Sequence, residues 1–329
     1  MISETEVETC RTRARAILAG MDQVLLGQEA MTRLTLTGML AGGHVLLEGL
    51  PGLGKTELVK ALGSLCGCDY KRIQFTPDLL PGDITGTHVL QQTPDGGREQ
   101  VFRPGPVFAQ IVLADEINRA SPKTQSALLE AMQEHSVTVL ETTHRLPEPF
   151  FVLATQNPIE LDGTYPLPEA QLDRFAMKVT VAGVERSVLA QIVLQRQSGV
   201  APVPEPVTDA AGLAELLAAV RRVALPEAVG RYLAHLVDAT RPDRETSPEC
   251  VRRYVRWGAS PRAALTLAAC ARAAALLAGR PAVGFEDVRA VAVPTLAHRL
   301  VLGYEAGLED LDAAAVVRTL IAETPELAV

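Results

Sequence analysis

The sequence predicts an α/β protein in which a parallel sheet reaches about residue 183 and a helical region follows over 184–329. Three features predict this arrangement. A glycine-rich segment, 49–56, lies between an apolar strand and a helix; the apolar run 111–115 leads into two acidic residues; and the chain beyond residue 185 is rich in Ala and Leu at helical spacing. Strands that alternate with helices are typical of a parallel sheet, and a run of helices alone indicates a second domain.

Residues 49–56, Gly-Leu-Pro-Gly-Leu-Gly-Lys-Thr, match the phosphate-loop pattern G-x-x-x-x-G-K-[ST] in full. The strand before this loop and the helix after it point several backbone N–H groups at one spot, where the helix dipole adds positive charge. Lys55 is expected to reach the β- and γ-phosphates of a nucleotide, and the Thr56 hydroxyl to bind Mg²⁺. The alternative is a plain glycine-rich turn, which the flanking strand and helix make less favourable. The predicted nucleotide contacts are Gly49, Pro51, Gly52, Leu53, Gly54, Lys55 and Thr56, with Gln28 from the segment before the helix 29–41.

The apolar run 111–115 ends in Asp115 and Glu116. A buried parallel strand looks like this, and its carboxyl end is the edge at which open α/β sheets bind ligands. Asp115 can hold Mg²⁺ there, and Glu116 can polarise a water for attack on the γ-phosphate. By itself such a strand would more often end in a solvated loop, but after a phosphate loop it is interpreted as a Walker B motif.

Composition limits the classes of function. The chain has 329 residues, of which 47% are hydrophobic and 21% charged, with a net charge of −8. This acidic balance argues against a large nucleic-acid-binding surface, although it leaves room for a local basic pore. The odd number of cysteines, including Cys66 and Cys68, and the polar N-terminus predict reduced thiols and a cytoplasmic protein. The apolar stretches 34–47 and 263–279 are too short or are interrupted by His44 and Arg272, so no membrane span is expected.

Helices are expected at 3–23 and 29–41, strands at 44–48 and 70–76, and a hairpin of 86–92 with 99–102 around the turn 93–97. The strand 111–115, the helix 122–135, a second hairpin of 136–142 with 144–147 and the buried strand 150–155 follow. After an extended linker at 199–208, helices are expected at 209–222, 226–241, 247–257, 261–278, 284–297 and 312–322, and no strand is expected among them.

These motifs together resemble the MoxR family of AAA+ ATPases. The resemblance is nearly continuous from Gly49 to Phe175, and the helical half resembles the family more loosely, chiefly around residues 258–263. The segments that carry it are Gly-Leu-Pro-Gly-Leu-Gly-Lys-Thr at 49–56, Pro-Gly-Asp-Ile-Thr-Gly at 81–86, Asp-Glu-Ile-Asn-Arg-Ala at 115–120, Lys-Thr-Gln-Ser-Ala-Leu-Leu-Glu-Ala-Met at 123–132 and the stretch 154–175. The resemblance implies an AAA+ sheet domain with a helical lid, in which the two hairpins are inserts that face a central pore or a partner.

The family resemblance also assigns catalytic roles by position. Asn157 would be sensor 1, which orients the attacking water beside Glu116. Arg174 would be an arginine finger that completes the site of a neighbouring subunit, with Arg119 as another inter-subunit candidate. Arg262 would be sensor 2, acting on its own subunit's γ-phosphate or on the next subunit's. Simpler interpretations remain: a turn residue for the asparagine, a salt-bridged helix end for the finger, and a position just after a helix cap for sensor 2.

The function implied by the resemblance is ATP hydrolysis with Mg²⁺ in a ring, most readily a hexamer, that remodels a protein client with a separate von Willebrand factor A domain protein as partner. Alternatives from other classes are a metal-chelatase motor subunit, a nucleic-acid helicase or loader, and a nucleotide-gated binding module without turnover. The acidic charge argues against the helicase. The complete set of Lys55, Asp115, Glu116 and Arg174 argues against the inactive module.

Overall fold

The computed structural model describes residues 2–92, 94, 96–158, 163–195 and 201–326. The strands are β1 (His44–Glu48), β2 (Tyr70–Gln74), β3 (Gly86–Gln92), β4 (Arg98–Pro104), β5 (Ile111–Asp115), β6 (Ser136–Val139), β7 (Thr142–Arg145), β8 (Phe151–Gln156), β9 (Phe175–Thr180), β10 (Val255–Trp257) and β11 (Val301–Leu302). The α-helices are α1 (Glu4–Val24), α2 (Glu29–Leu40), α3 (Lys55–Leu65), α4 (Pro81–Thr85), α5 (Pro122–Glu134), α6 (Glu169–Leu172), α7 (Arg186–Gln195), α8 (Ala210–Arg222), α9 (Glu227–Asp238), α10 (Glu249–Tyr254), α11 (Pro261–Ala278), α12 (Phe285–Leu296), α13 (Tyr304–Leu308) and α14 (Ala313–Glu323). Short 3₁₀ helices cover Ile117–Arg119 and Ala297–Arg299.

The central sheet has five strands in the order β2-β5-β8-β1-β9, and every neighbouring pair is parallel. The predicted parallel α/β core is therefore confirmed. Strands β1, β5 and β8 are almost completely buried, as expected for inner strands that are covered on both faces. Because all five strands run in the same direction, the segments that follow β1, β5 and β8 meet at one edge of the sheet.

Side chains of the inner strands alternate between two hydrophobic clusters. Val45 and Leu47 of β1 belong to one cluster and Leu46 belongs to the other, and β5 and β8 divide in the same way. The period of two follows from the pleat, which points successive side chains to opposite faces. The first cluster continues through α1, α2 and α3 into the helical C-terminal region, and the second contains α5. Because the first cluster continues from the sheet into the helical region, the domain boundary at residue 183 stays a prediction.

Two antiparallel hairpins, β3–β4 and β6–β7, extend from the core. Their contact includes the stacked rings of Phe102 and His144, whose centroids are 3.9 Å apart at 12°. The second hairpin turns at Leu140 and Glu141, with φ of 46° and 67°, whereas the sequence indicates a strand through residue 142. Hairpin turns with two positive φ values favour Asn and Gly, so a Leu-Glu pair carries no turn signal. The predicted turn 93–97 falls partly outside the described residues.

The C-terminal region is helical, as predicted, and contains in addition a short pair of strands. The predicted helix 247–257 is wrong at its end, because α10 stops at Tyr254 and residues 255–257 form strand β10, which pairs antiparallel with β11. Segments of three and two residues are too short to show the alternation by which a strand is recognised. The helices α4, α7 and α13 and the edge strand β9 were likewise not among the predicted elements. The predicted linker 199–208 begins outside the described residues and has no helix or strand from 201 to 208.

One helix among the described residues, Pro261–Ala278, is long and apolar enough to cross a membrane by length and composition alone. Half of it is buried inside the protein, where it packs against α1, α2, α9 and α12. A core helix of a folded protein has the same properties.

His44, the first residue of β1, is buried and bonded on both ring nitrogens. Its Nδ1 accepts a hydrogen bond from the backbone N–H of Val152 at 3.0 Å. The proton therefore lies on Nε2, which donates to the carbonyl of Met132 at 3.0 Å. Burial lowers the pKa of His44 from 6.5 to about 4, since a charged ring would lose its hydration. This histidine is part of the core.

We expect the free energy of unfolding to decrease as pH falls from about 6.5 toward 4. In the unfolded chain His44 is protonated below its ordinary pKa of 6.5. In the folded protein the ring stays neutral until the pH approaches 4, so lower pH favours the unfolded state. This difference is worth at most about 3 kcal/mol. Unfolding midpoints measured in denaturant between pH 4 and 7.5 test it, with His44→Gln as the comparison. The variant should show a shallower pH dependence, with part of the slope kept by buried His298, whose pKa burial also lowers. An unchanged slope would contradict the assignment.

Candidate active site

The phosphate loop joins β1 to α3 at the carboxyl edge of the sheet. Gly52 and Gly54 have φ of 82° and 81°, in the left-handed region that favours glycine. At Gly49, a Cβ atom would lie 2.9 Å from Cβ of Val181 and 3.0 Å from its carbonyl oxygen. The three glycines therefore permit a turn and a close approach that other residues would obstruct. Because Lys55 begins α3 directly after Gly54, the N-terminal N–H groups of this helix face the ligand side of the loop.

A cavity of about 420 Å³ opens beside the loop. Its walls come from the loop, the first turn of α3 and the ends of β2, β5 and β8. The lining residues are Pro51, Gly52, Gly54, Lys55, Thr56, Glu57, Arg72, Gln74, Asp115, Glu116, Thr155 and Asn157. Residues that are far apart in the sequence thus surround one space, whose volume is within the usual range for small-molecule sites.

The Lys55 ammonium lies within this cavity and is held by backbone oxygens. Nζ donates to the carbonyl of Gly49, and the carbonyl of Gln156 is 3.5 Å away. Burial lowers the pKa of Lys55, while the carboxylates of Asp115 and Glu116 act in the opposite direction. A phosphate oxygen would replace these neutral carbonyl acceptors with an anionic one, which would strengthen the hydrogen bond from the ammonium. The position fits the predicted phosphate contact.

The Asp115 carboxylate is fixed by bonds to both oxygens. Oδ1 accepts from the Thr155 hydroxyl at 2.7 Å. Oδ2 accepts from Nε and Nη2 of Arg72 at 3.1 and 2.7 Å. A cationic group therefore already lies against Asp115, and Thr56 supplies a hydroxyl to the same cavity. Hard oxygen donors of this kind suit Mg²⁺, so the residues present fit the implied metal.

Glu116 has a strained backbone, with φ 58° and ψ 50°. Non-glycine residues seldom adopt this left-handed conformation, which tends to occur at functional sites. This conformation is stabilised by a 2.8 Å hydrogen bond from the Glu116 N–H to the Thr155 hydroxyl. The carboxylate accepts from Gln74 Nε2 at 2.8 Å and from Arg119 Nη1 at 3.0 Å. Glu116 lines the cavity.

Of the other predicted nucleotide-site residues, Asn157 lines the same cavity, directly after β8, and is buried. Gln28 does not line that cavity; it is buried at the start of α2 and donates from Nε2 to the carbonyl of Ala182 at 3.1 Å. Leu53 packs partly buried against the hydrophobic core. Gly49 is likewise not among the residues that line the cavity, and direct nucleotide contact by each residue named from the sequence stays a prediction.

Arg174 and Arg262 lie at the opposite edge of the sheet. Both line a second cavity of about 370 Å³ with Gly42 and Gly43, which precede β1. The five residues of β1 separate this edge from the phosphate loop, a distance of about 16 Å at ~3.3 Å per residue. Neither arginine shares the cavity that contains Lys55, so the two halves of the predicted site are on different faces of one subunit.

Sequence reasoning missed Arg72, Gln74 and Thr155, which contact the two acidic residues. These three residues could be recognised as candidates only from the register and order of the strands. Register pairs Gln74 of β2 with Asp115 of β5, and Thr155 belongs to β8, the strand on the other side of β5. Polar residues near the carboxyl ends of strands that flank β5 would have been candidates once the strand order was known.

Known proteins resemble the chain over almost its whole length. Residues 44–177 match the profile of the "ATPase family associated with various cellular activities (AAA)" and residues 248–320 that of an AAA lid domain. The chain is 41% identical to Chaperone MoxR1 of Mycobacterium tuberculosis over 311 residues, 94% of this chain and 81% of that protein. It is 45% identical to YeaC of Bacillus subtilis, a protein of unassigned function, over 305 residues, 92% and 91% of the two chains.

A solved structure shows the same fold. The crystal structure of a candidate ATPase from Cytophaga hutchinsonii superposes with a TM-score of 0.89 at 39% sequence identity, covering 98% of this chain and 97% of the other. The fold, the phosphate loop with its facing acidic pair and these relatives agree. The chain belongs to the MoxR family of AAA+ ATPases.

Proposed function

We propose that the protein hydrolyses ATP with Mg²⁺ in a ring, most readily a hexamer, in which adjacent subunits form each active site together. The observation that carries this proposal is the separation of the two halves. Lys55, Asp115 and Glu116 surround one cavity, whereas Arg174 and Arg262 line another at the far edge of the sheet. A head-to-tail ring would bring one subunit's far edge to the next subunit's nucleotide cavity.

Each side chain has a distinct task in hydrolysis. Lys55 and the backbone N–H groups of the loop bind the phosphates, and Thr56 and Asp115 would hold Mg²⁺, which neutralises developing phosphate charge. The Glu116 carboxylate accepts a proton from the attacking water, and the Asn157 amide orients that water. Arg174 of the neighbouring subunit stabilises charge on the γ-phosphoryl group in the transition state, joined there by Arg262.

The work done by hydrolysis is proposed to be the remodelling of a protein client. Support comes from the relative named Chaperone MoxR1 and from the paired hairpins β3–β4 and β6–β7, which present exposed Leu90 and Leu140. The family resemblance supports a separate von Willebrand factor A domain protein as the partner. Exposed apolar side chains on projecting hairpins suit contact with another polypeptide.

We expect the ATPase rate per subunit to increase with protein concentration. The arginine of one subunit must enter the site of another, so monomers lack a complete site. Turnover is measured across a dilution series with ATP and Mg²⁺, and mass photometry of the same samples gives the ring fraction. Rate and ring fraction should increase together. A rate per subunit that stays at its ring value in samples that contain only monomers would contradict the shared site.

A further inference from the structure

Arg299, the last residue of the 3₁₀ helix 297–299 in the lid, has a side chain only 2% exposed. Its guanidinium is directed at the start of β9. Nε donates to Oδ1 of Asp173 at 2.7 Å, and Nη2 donates to the carbonyls of Phe175 at 2.7 Å and Asp173 at 3.3 Å. Nη1 lies 3.4 Å from the carbonyl of Ala176. These oxygens belong to residues on both sides of residue 174. One lid side chain therefore binds the backbone before and after the proposed arginine finger.

Stability alone is a weak reason for burying this charge. A buried arginine loses its hydration, and a well-packed apolar residue of similar size is often as stable or more stable. Asp173 offsets part of this loss. Burial lowers the pKa of Arg299, whereas the carboxylate of Asp173 acts to raise it. What an apolar residue could not reproduce is the planar set of donors that holds several oxygens in one fixed arrangement.

The same carboxylate reaches the other proposed trans-acting arginine. Oδ2 of Asp173 accepts from the Ser260 hydroxyl at 3.4 Å and lies 3.9 Å from Nη1 of Arg262. Next to Arg299, His298 donates from Nε2 to the carbonyl of Phe175 at 3.2 Å. The lid therefore holds residues 173–176, the finger segment, through two neighbouring side chains. Asp173 connects that segment to the first turn of α11.

We propose that Arg299 is a positioning residue for catalysis between subunits. By holding residues 173–176 it directs Arg174 toward the neighbouring subunit, and through Asp173 it keeps Arg262 beside the finger. The inference rests on the proposed function, because it assumes that Arg174 acts on the neighbour's nucleotide. It adds that the lid sets the geometry of the finger, so that a lid displacement in one subunit changes hydrolysis in the next.

Arg299→Lys keeps the positive charge and loses the planar guanidinium group with its several N–H donors. We expect kcat of the assembled ring to decrease on the order of 10²-fold, the effect of a misplaced catalytic group. KM for ATP should stay within about twofold, because each subunit binds ATP in its own distant cavity. Arg280→Lys is the matched control: Arg280 is a lid arginine paired with the buried carboxylate of Asp287, away from the finger segment, and this change should leave kcat near wild type.

Mixed rings separate positioning from a general folding defect. Arg299→Lys subunits have an intact nucleotide cavity and a misplaced finger, so Lys55→Ala subunits, whose fingers are intact, should restore activity to them. Arg174→Ala subunits, which have no finger, should not. Equal rescue by both partners, or by neither, would overturn the inference. Mixing Arg174→Ala with Lys55→Ala tests the underlying function separately: if that pair fails, the shared site is wrong whatever Arg299 does.

Asp173→Asn provides a second variant in case the lysine change prevents folding. The amide keeps an oxygen toward Arg299 but removes the charge that faces both arginines. We expect a smaller decrease in kcat, with affinity for a fluorescent ATP analogue unchanged in the monomer. If both variants weaken nucleotide binding as much as they lower kcat, Arg299 supports the fold in general and the positioning role is excluded.

Discussion

Glu116→Gln is expected to bind ATP as tightly as the wild type and to hydrolyse it on the order of 10²- to 10⁴-fold more slowly, the usual contribution of a positioned general base. The substitution keeps the length of the side chain and an oxygen that can accept from Gln74 and Arg119, as the carboxylate does now. It removes the negative charge that attracts the proton of the attacking water. Binding depends on the phosphate loop, which the change does not touch.

Single-turnover hydrolysis and equilibrium binding of a fluorescent ATP analogue, measured on the same samples, separate these two effects. Glu227→Gln is a suitable control, since this exposed carboxylate of α9 pairs only with its helix neighbour Arg231 among the described residues. It should change neither quantity. Wild-type turnover in Glu116→Gln would show that another group accepts the proton.

Arg174→Ala is expected to remove ring-dependent hydrolysis by a factor on the order of 10³, as is common when a trans-acting arginine is lost. The guanidinium lies at the edge of the sheet away from its own subunit's phosphate loop, so monomers of the variant should bind ATP normally. The loss should therefore appear in kcat and only in assembled rings. Arg231→Ala, at an exposed position of α9, controls for removal of a surface arginine.

Mixing Arg174→Ala with Lys55→Ala subunits tests the direction of action. The first subunit has an intact cavity without a finger, and the second has an intact finger beside a cavity that cannot bind phosphate. In a random equal mixture roughly a quarter of the interfaces combine the two intact halves. Activity should return to about that fraction, although neither variant is active alone. No recovery, in mixtures shown by mass photometry to form rings, would place the arginine outside the neighbour's site.

Much of the fold and the nucleotide cavity could be predicted from local patterns. The phosphate loop is a contiguous segment, and its glycines and Lys55 are recognisable without any distant residue. Asp115 and Glu116 end a continuous apolar run, which indicates a buried strand by composition alone. The strained backbone of Glu116 was not predictable, because its left-handed conformation depends on the Thr155 hydroxyl of another strand.

The short pairing of β10 with β11 and the turn at Leu140 and Glu141 were missed for a related reason. Strands of two or three residues have no measurable period, and a turn made by leucine and glutamate contradicts local propensity. In both cases tertiary contacts overrode the preference of the local sequence.

The kind of chemistry is evident from the sequence, since the phosphate loop 49–56 and the acidic pair 115–116 are each made of residues that are adjacent in the chain. The positions of the arginines, in contrast, depend on how distant segments of the chain pack together. Arg299 and Asp173 are 126 residues apart, and their contact depends on how the lid packs against β9. Strand order and lid packing place Arg174 and Arg262 away from their own phosphate loop, because periodic patterns define which face of an element is buried but not which element it meets.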